Sequence, residues 1–203
     1  MSISAKDKEK ILNLYDGRFS RLGYDVRTIG WGDAESQTLR FNILADIADL
    51  SGCSVCDLGC GFGDMYPYLL RRFNKVDYCG IDISEKLIAK ARTLYPSAKF
   101  EVCDILEHSC FPKYDYVLSS GALSLKLDDH DRYIERMIRR MMEMSTKGVA
   151  VNFLSSYVDY QEDKNYHLSP ANAIELGRRL TRYVTLRHDY PLYEFTLYLY
   201  HCQ

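Results

Sequence analysis

The chain has no run of 18 consecutive apolar residues, so no segment reads as a membrane-spanning helix. Its first ten residues carry Lys6-Asp7-Lys8-Glu9-Lys10 where a secretory leader needs an apolar stretch, and a cytoplasmic setting is expected. Charge of one sign is equally scarce. Twenty-eight acidic residues against 26 basic ones leave −2, too little for an overall field that draws nucleic acid or anionic lipid. Prolines number five, and no Pro/Ser-rich linker, internal repeat or low-complexity tract divides the chain. Seven cysteines, at 53, 56, 60, 79, 103, 110 and 202, are odd in number and too scattered for a disulfide framework. Cys53, Cys56 and Cys60 lack the further Cys or His pair of a four-ligand site. They are expected to pack as small apolar side chains, with no metal.

The composition that remains, 47% hydrophobic and 27% charged over 203 residues, can bury a sizeable core and is far from that of a disordered chain. From Cys53 onward, short β-rich runs alternate with segments of helical period, which argues an α/β fold with a mainly parallel sheet. Strands are expected at Ser54-Val55-Cys56-Asp57-Leu58, Val76 to Ile83, Lys99 to Ile105, Tyr114 to Ser120 and Val149 to Leu154. Helices are expected from about Asp64, from Ser84 to Pro96, from Asp128 along the Tyr133, Ile134, Met137, Ile138, Met141 and Met144 stripe, and from Ser169-Pro170 to about Leu180. The last two strands, Val184 to Asp189 and Phe195 to Tyr200, are too close for a crossover helix and must pair antiparallel. The expected architecture is a doubly wound, mainly parallel seven-stranded sheet with an antiparallel last strand. Residues 1–53 form a helical cap on it, a short helix at Ile11, Leu12 and Tyr15 and a second at Leu39, Ile43, Ile47 and Leu50, ahead of a core domain over 54–203.

The most informative stretch is Asp57-Leu58-Gly59-Cys60-Gly61-Phe62-Gly63-Asp64, where a strand turns into a helix. Glycines there let the backbone turn sharply and approach a ligand, and the N–H groups of the next helix favour an anionic group. Asp82 ends the next strand, 23 residues after Gly59, near the spacing of an acid that takes a ribose diol. Asp104 closes the one after. In an open α/β sheet these strand ends share one rim, where ligands bind.

Asp-x-Gly-x-Gly-x-Gly after the first strand, with acids closing the second and third, resembles class I S-adenosylmethionine-dependent methyltransferases, and so does the final helix, strand and hairpin. The resemblance spans about Ser54 to Tyr200. It implies S-adenosylmethionine as methyl donor and S-adenosylhomocysteine as product. By the same resemblance, Gly59 and Gly61 lie against the methionine moiety, with Asp57 and Asp64 near its ammonium. Asp82 takes the ribose, Asp104 the adenine amino group, and Ile83 and Ile105 flank the ring. Ser119-Ser120-Gly121-Ala122-Leu123 faces the transferred methyl group, and Ser120 completes the donor site. That segment is not the Asn/Asp-Pro-Pro-Tyr/Phe pattern tied to exocyclic amines of DNA and some protein amides. Three rivals are weighed: a nicotinamide oxidoreductase, disfavoured because Asp64 stands at the sixth position of its glycine signature; a non-catalytic binding module; and an RNA or protein methyltransferase.

Methyl transfer from a sulfonium needs in-line positioning and exclusion of water, and a base only for a weakly acidic acceptor. His167 and His188 are the candidate bases, but neither stands out from an ordinary hydrogen-bonded histidine, so no catalytic residue is assigned. Tyr157, Tyr160 and Tyr166 are expected to border an acceptor pocket with the cap, and Trp31, between Gly30 and Gly32, either closes over the donor or packs on the sheet. Arg71-Arg72, Arg139-Arg140 and Arg178-Arg179 read as solvated helix faces rather than a nucleic-acid tract. A small molecule methylated on oxygen or nitrogen is the expected partner.

Overall fold

The computed structural model describes residues 3–107 and 111–202; of the cysteines, Cys110 lies outside them. Among these residues the strands are β1 (Ser54–Leu58), β2 (Asp77–Asp82), β3 (Lys99–Val102), β4 (Tyr114–Ser119), β5 (Ser145–Ser155), β6 (His167–Leu168), β7 (Tyr183–Arg187) and β8 (Glu194–Tyr200), and the helices are α1 (Ala5–Leu22), α2 (Ala34–Ala45), α3 (Met65–Arg72), α4 (Glu85–Leu94), α5 (His130–Met144) and α6 (Pro170–Arg178). The sheet runs β3-β2-β1-β4-β5-β8-β7, with β6 on β5. Pairs from β3 through β5 are parallel, and β8 is antiparallel to both β5 and β7. The expected doubly wound sheet with an antiparallel last strand is present, with β6 as an eighth strand that two residues are too few to announce by periodicity.

Alternation along the strands feeds two cores. Cys56, Val117, Val149 and Leu197 point to the side of α5 and α6, with Ile138 and Leu176. Val55, Leu118, Ala150 and Tyr198 point to the side of α2, α3 and α4, with Leu44, Leu69 and Ile88. Burying both faces this way is what a parallel sheet requires. Cys53, Cys56, Cys60 and Cys79 are buried thiols. Cys56 and Cys60 lie within the cores, where burial pushes their ionisation well above the ordinary range, so they act as apolar side chains there.

Four boundaries differ from expectation. α2 ends at Ala45, where the Asp46 N–H closes the last turn on the Asn42 and Ile43 carbonyls, so Ile47 and Leu50, expected on this helix, lie buried beyond it. β3 stops at Val102 because Asp104 Oδ1 accepts from the Leu106 N–H at 2.9 Å, an Asx turn that ends the extended run. β5 extends back to Ser145 because it pairs on both sides, with Tyr116↔Gly148 and Gly148↔Tyr200 in register. The first helix spans 18 residues, longer than α2. Its charged opening is its first turns: Ser4 caps it by accepting from the Asp7 N–H, and Gly23 closes it at φ 66° by donating to the Phe19 carbonyl.

Sheet order reverses between β1 and β4. A cavity of about 1040 Å³, its solvent-open mouth included, opens there, at the crevice this topology leaves for ligands.

Candidate functional site

The turn after β1 builds the floor of the cavity. The Gly59 and Cys60 N–H groups donate to the Ile81 carbonyl at 2.8 and 3.1 Å, tying the turn to β2. Gly59 has φ +72°, and a Cβ there would lie 2.4 Å from Ala122 Cβ, so only glycine lets the segment after β4 come this close. Asp82, at the end of β2, is fixed by two backbone donors. Gly61 N–H donates to its Oδ2 and Ser84 N–H to its Oδ1, both at 2.9 Å. Each oxygen keeps a further lone pair for a ligand hydroxyl. Burial nevertheless pushes the Asp82 carboxyl up, against the lowering effect of those N–H groups.

Asp57, on β1, is 2% exposed and accepts from the Tyr78 hydroxyl at 2.8 Å. Burial raises its carboxyl to about 7, opposed by Tyr78 and reinforced by the charges of Asp82 and Asp64. A buried acid poised there is stabilised in its ionised form by a ligand cation. Asp104, past β3, keeps Oδ2 buried with no hydrogen-bond partner; the nearest cation, Lys8 Nζ, is 3.6 Å away. An orphaned buried acceptor of this kind calls for a donor.

Eight of the nine sequence-predicted site residues line this one cavity: Asp57, Gly59, Gly61, Asp82, Ile83, Asp104, Ile105 and Ser120. Asp64 does not. Its Oδ1 accepts from the Tyr24 and Tyr95 hydroxyls at 2.7 and 2.9 Å. Of the expected placement near a ligand ammonium, directly or through water, a place in the cavity lining is not seen for Asp64.

The walls come from residues that no motif marks. Ile11, Leu12 and Tyr15 of α1 lie over the rim, with Ile29 and Trp31 from the strap between α1 and α2. Gln37 and Phe41 of α2 and Tyr133 and Met137 of α5 complete it. Periodicity marks Ile11, Leu12, Tyr15, Tyr133 and Met137 as apolar stripes without saying what they face; Ile29, Gln37 and Phe41 carry no sequence signal. Helix α1 is tied down at the rim, since the Ser84 hydroxyl donates to Asp16 Oδ1 at 2.6 Å and Lys8 bonds Glu107 at 2.9 Å.

Other expected site residues lie elsewhere. Tyr157 and Tyr160 are 66% and 76% exposed and, like Tyr166, are not among the cavity residues. Tyr166 stacks on His130 and donates to Asp131. His167 Nδ1 bonds the Ser155 carbonyl at 2.8 Å, and His188 packs between Tyr157 and Phe195. Neither histidine borders the cavity. Tyr157, Tyr160, Tyr166 and His167 follow β5 and His188 follows β7.

The donor that the rim implies fits what is present. Asp82 would take a sugar diol, Asp57 an ammonium and the unpartnered Asp104 Oδ2 an exocyclic amine, with Ile83 and Ile105 beside a flat base.

Comparison with known proteins bears on this site. A family model described as a methyltransferase domain matches residues 55–147. The Mycobacterium tuberculosis protein named "Putative methyltransferase Rv1506c" is 34% identical over 155 residues, which cover 71% of this chain and 90% of that one. Trans-aconitate 2-methyltransferase of Variovorax paradoxus is 32% identical over 133 residues, 66% of this chain and 49% of that one. The chain thus spans about half of that relative's length. Magnesium protoporphyrin IX methyltransferase from Synechocystis PCC 6803, solved with S-adenosylmethionine bound, shares the fold: TM-score 0.68 at 18% identity, over 98% of this chain and 99% of that one.

Proposed function

The chain belongs to the class I S-adenosylmethionine-dependent methyltransferases, and from that premise we propose that it methylates a small molecule on oxygen or nitrogen. The observation that carries this reading is the continuity of the cavity. One space runs from the acidic strand rim to a chamber walled by Trp31, Phe41 and Ile29 under α1, an enclosure suited to a small acceptor rather than to a nucleic acid or a protein surface. The name of the trans-aconitate relatives, a small-molecule acceptor, supports the same class.

S-adenosylmethionine, when bound, supplies a methyl carbon on a sulfonium; its C–S bond breaks with the electron pair left on sulfur as the acceptor's lone pair forms the new bond. In this reading Asp82 holds the ribose diol with both oxygens already oriented by backbone N–H groups. Asp57 meets the ammonium, Gly59 and Gly61 leave room for the methionine chain, and Asp104 accepts from the adenine amino group between Ile83 and Ile105. Ser120 borders the methyl group. Helix α1 and Trp31 exclude water, and the fixed walls supply proximity. The described lining residues include no histidine or lysine, so the chain's part is to position the reactants.

An RNA acceptor is disfavoured by the arginine pairs themselves. Arg72 bonds Asp46, Arg139 and Arg179 share Glu135 and Arg140 bonds Glu143, so four of these six arginines are engaged within the chain. Incubation with methyl-labelled S-adenosylmethionine and fractionated extract tests the acceptor class. Label in the low-molecular-mass fraction is expected; label in RNA or protein alone contradicts it.

A further inference from the structure

We propose that the acceptor chamber selects a neutral, flat, oxygen-bearing molecule, with Trp31 as its rigid wall and Gln37 as the hydrogen-bond donor to that oxygen; this rests on the small-molecule methyltransferase reading above. Three observations lead there. The first is the way Trp31 is held. Its ring sits where Gly121 has no side chain: a Cβ on Gly121 would lie 2.1 Å from Trp31 Cη2. On its face the Arg40 guanidinium carbon lies 4.1 Å from the ring centroid. Arg40 Nε donates to Glu194 Oε1 at 2.8 Å, Asn152 Nδ2 donates to Glu194 Oε2, and the Gly121 N–H donates to Asn152 Oδ1 at 2.7 Å. The chain of contacts closes on itself, from the indole through Arg40, Glu194 and Asn152 back to the glycine under the indole. A buried ion pair contributes little net stability but fixes geometry well, and what it fixes here is an aromatic wall beside the donor rim.

The second observation is an unmet donor. Gln37 is 6% exposed, lines the chamber and lies three residues before Arg40, on the same side of α2. Its amide nitrogen is buried with no hydrogen-bond partner, and Ser120 Oγ, also on the wall, is in the same condition. A buried amide without a partner is costly to leave so. The terminal torsion of glutamine is soft, so an acceptor oxygen in the chamber relieves the deficit by a small rotation.

The third is charge. The described lining residues include Asp57, Asp82 and Asp104 but no lysine, arginine or histidine; Arg40, which is not among them, is paired with Glu194 through Nε and Nη2, while its buried Nη1 has no partner. A carboxylate entering the chamber loses its hydration and finds no cation among the lining residues to replace it. A neutral ring loses little and gains the faces of Trp31 and Phe41.

Calorimetry on the protein saturated with S-adenosylhomocysteine tests this at neutral pH. The probes are 2-naphthol, 2-naphthoate, which has the same ring with a carboxylate, and trans-aconitate, a non-aromatic tricarboxylate. The expected result is that 2-naphthol binds at least about tenfold more tightly than either anion. Gln37→Leu is expected to weaken 2-naphthol about tenfold while S-adenosylhomocysteine affinity stays within about twofold. Equal or tighter binding of an anion overturns the proposal, as does a 2-naphthol affinity that Gln37→Leu leaves unmoved. If the variant folds poorly, the preference of the unmodified protein among the three probes still decides. S-adenosylhomocysteine binding without 2-naphthol binding defeats this proposal alone, whereas failure to bind S-adenosylhomocysteine defeats the methyltransferase reading beneath it.

Discussion

The end of the cavity proposed to hold the donor is assembled from strand termini, whereas the end proposed for the acceptor draws mainly on the helices and strap that precede the sheet. At the donor end the acids are held from nearby strands and turns: Asp82 by the Gly61 and Ser84 N–H groups, Asp104 by the Leu106 N–H and Asp57 by the Tyr78 hydroxyl of β2. At the acceptor end Trp31 depends on Arg40, Glu194 and Asn152, residues far apart in the chain. The first arrangement is bound to the fold and serves any acceptor. The second can change without disturbing the first, which is how one fold serves many substrates.

The two ends should therefore respond separately to mutation. The largest effect is expected at Gly59. Gly59→Ala places a Cβ against Ala122 at a positive φ, so donor affinity should fall by on the order of a hundredfold, with about 1–3 kcal/mol of stability lost; calorimetry and denaturant unfolding measure the two. Next is Trp31→Ala, for which turnover should drop more than about tenfold while S-adenosylhomocysteine affinity changes less than about threefold. Coupled losses would show that the ends are one unit.

A third effect is on pH. The Asp57 carboxyl, raised to about 7 by burial, must ionise to meet an ammonium, so S-adenosylhomocysteine affinity is expected to be flat above pH 7 and to fall below it, by at most about tenfold per pH unit. Asp57→Asn should flatten that profile and weaken binding at high pH. The sign for stability is the opposite. A carboxyl raised in the folded state binds more protons there than in the unfolded chain, so its contribution is favourable at low pH and is lost as pH rises from about 4 toward 7. The smallest effect is expected at the lid. Asp16→Ala removes the acceptor of the Ser84 hydroxyl and should cost roughly 1 kcal/mol, read as faster exchange of the α1 amides and up to about fivefold in donor affinity.

That eight of the nine candidate residues share one cavity was legible because their determinants are local. A glycine turn after a strand and an acid at the next strand's end are short-range patterns, and open-sheet topology brings them to one rim without further information. Asp64 shows the limit even there: its neighbours in sequence place it at the helix start, but Tyr24 and Tyr95, from other elements, decide where its carboxylate points. The acceptor end was largely illegible. Tyr133 and Met137 read as core because periodicity reports that a face is buried and not what it is buried against. Gln37 is one polar residue on a helix, and only the absence of a partner for its amide distinguishes it. The tyrosines of the connection after β5 misled for the same reason, since proximity in sequence to a strand end was no guide to which crevice they border.

The central claim is that the acids at the sheet rim hold an adenosyl donor, and Asp82 tests it most directly. Isothermal titration of S-adenosylhomocysteine into the unmodified protein and into Asp82→Ala should show clear binding to the first and a loss of more than about tenfold in the second. Equal affinities, or no binding to the unmodified protein at millimolar ligand, would contradict it.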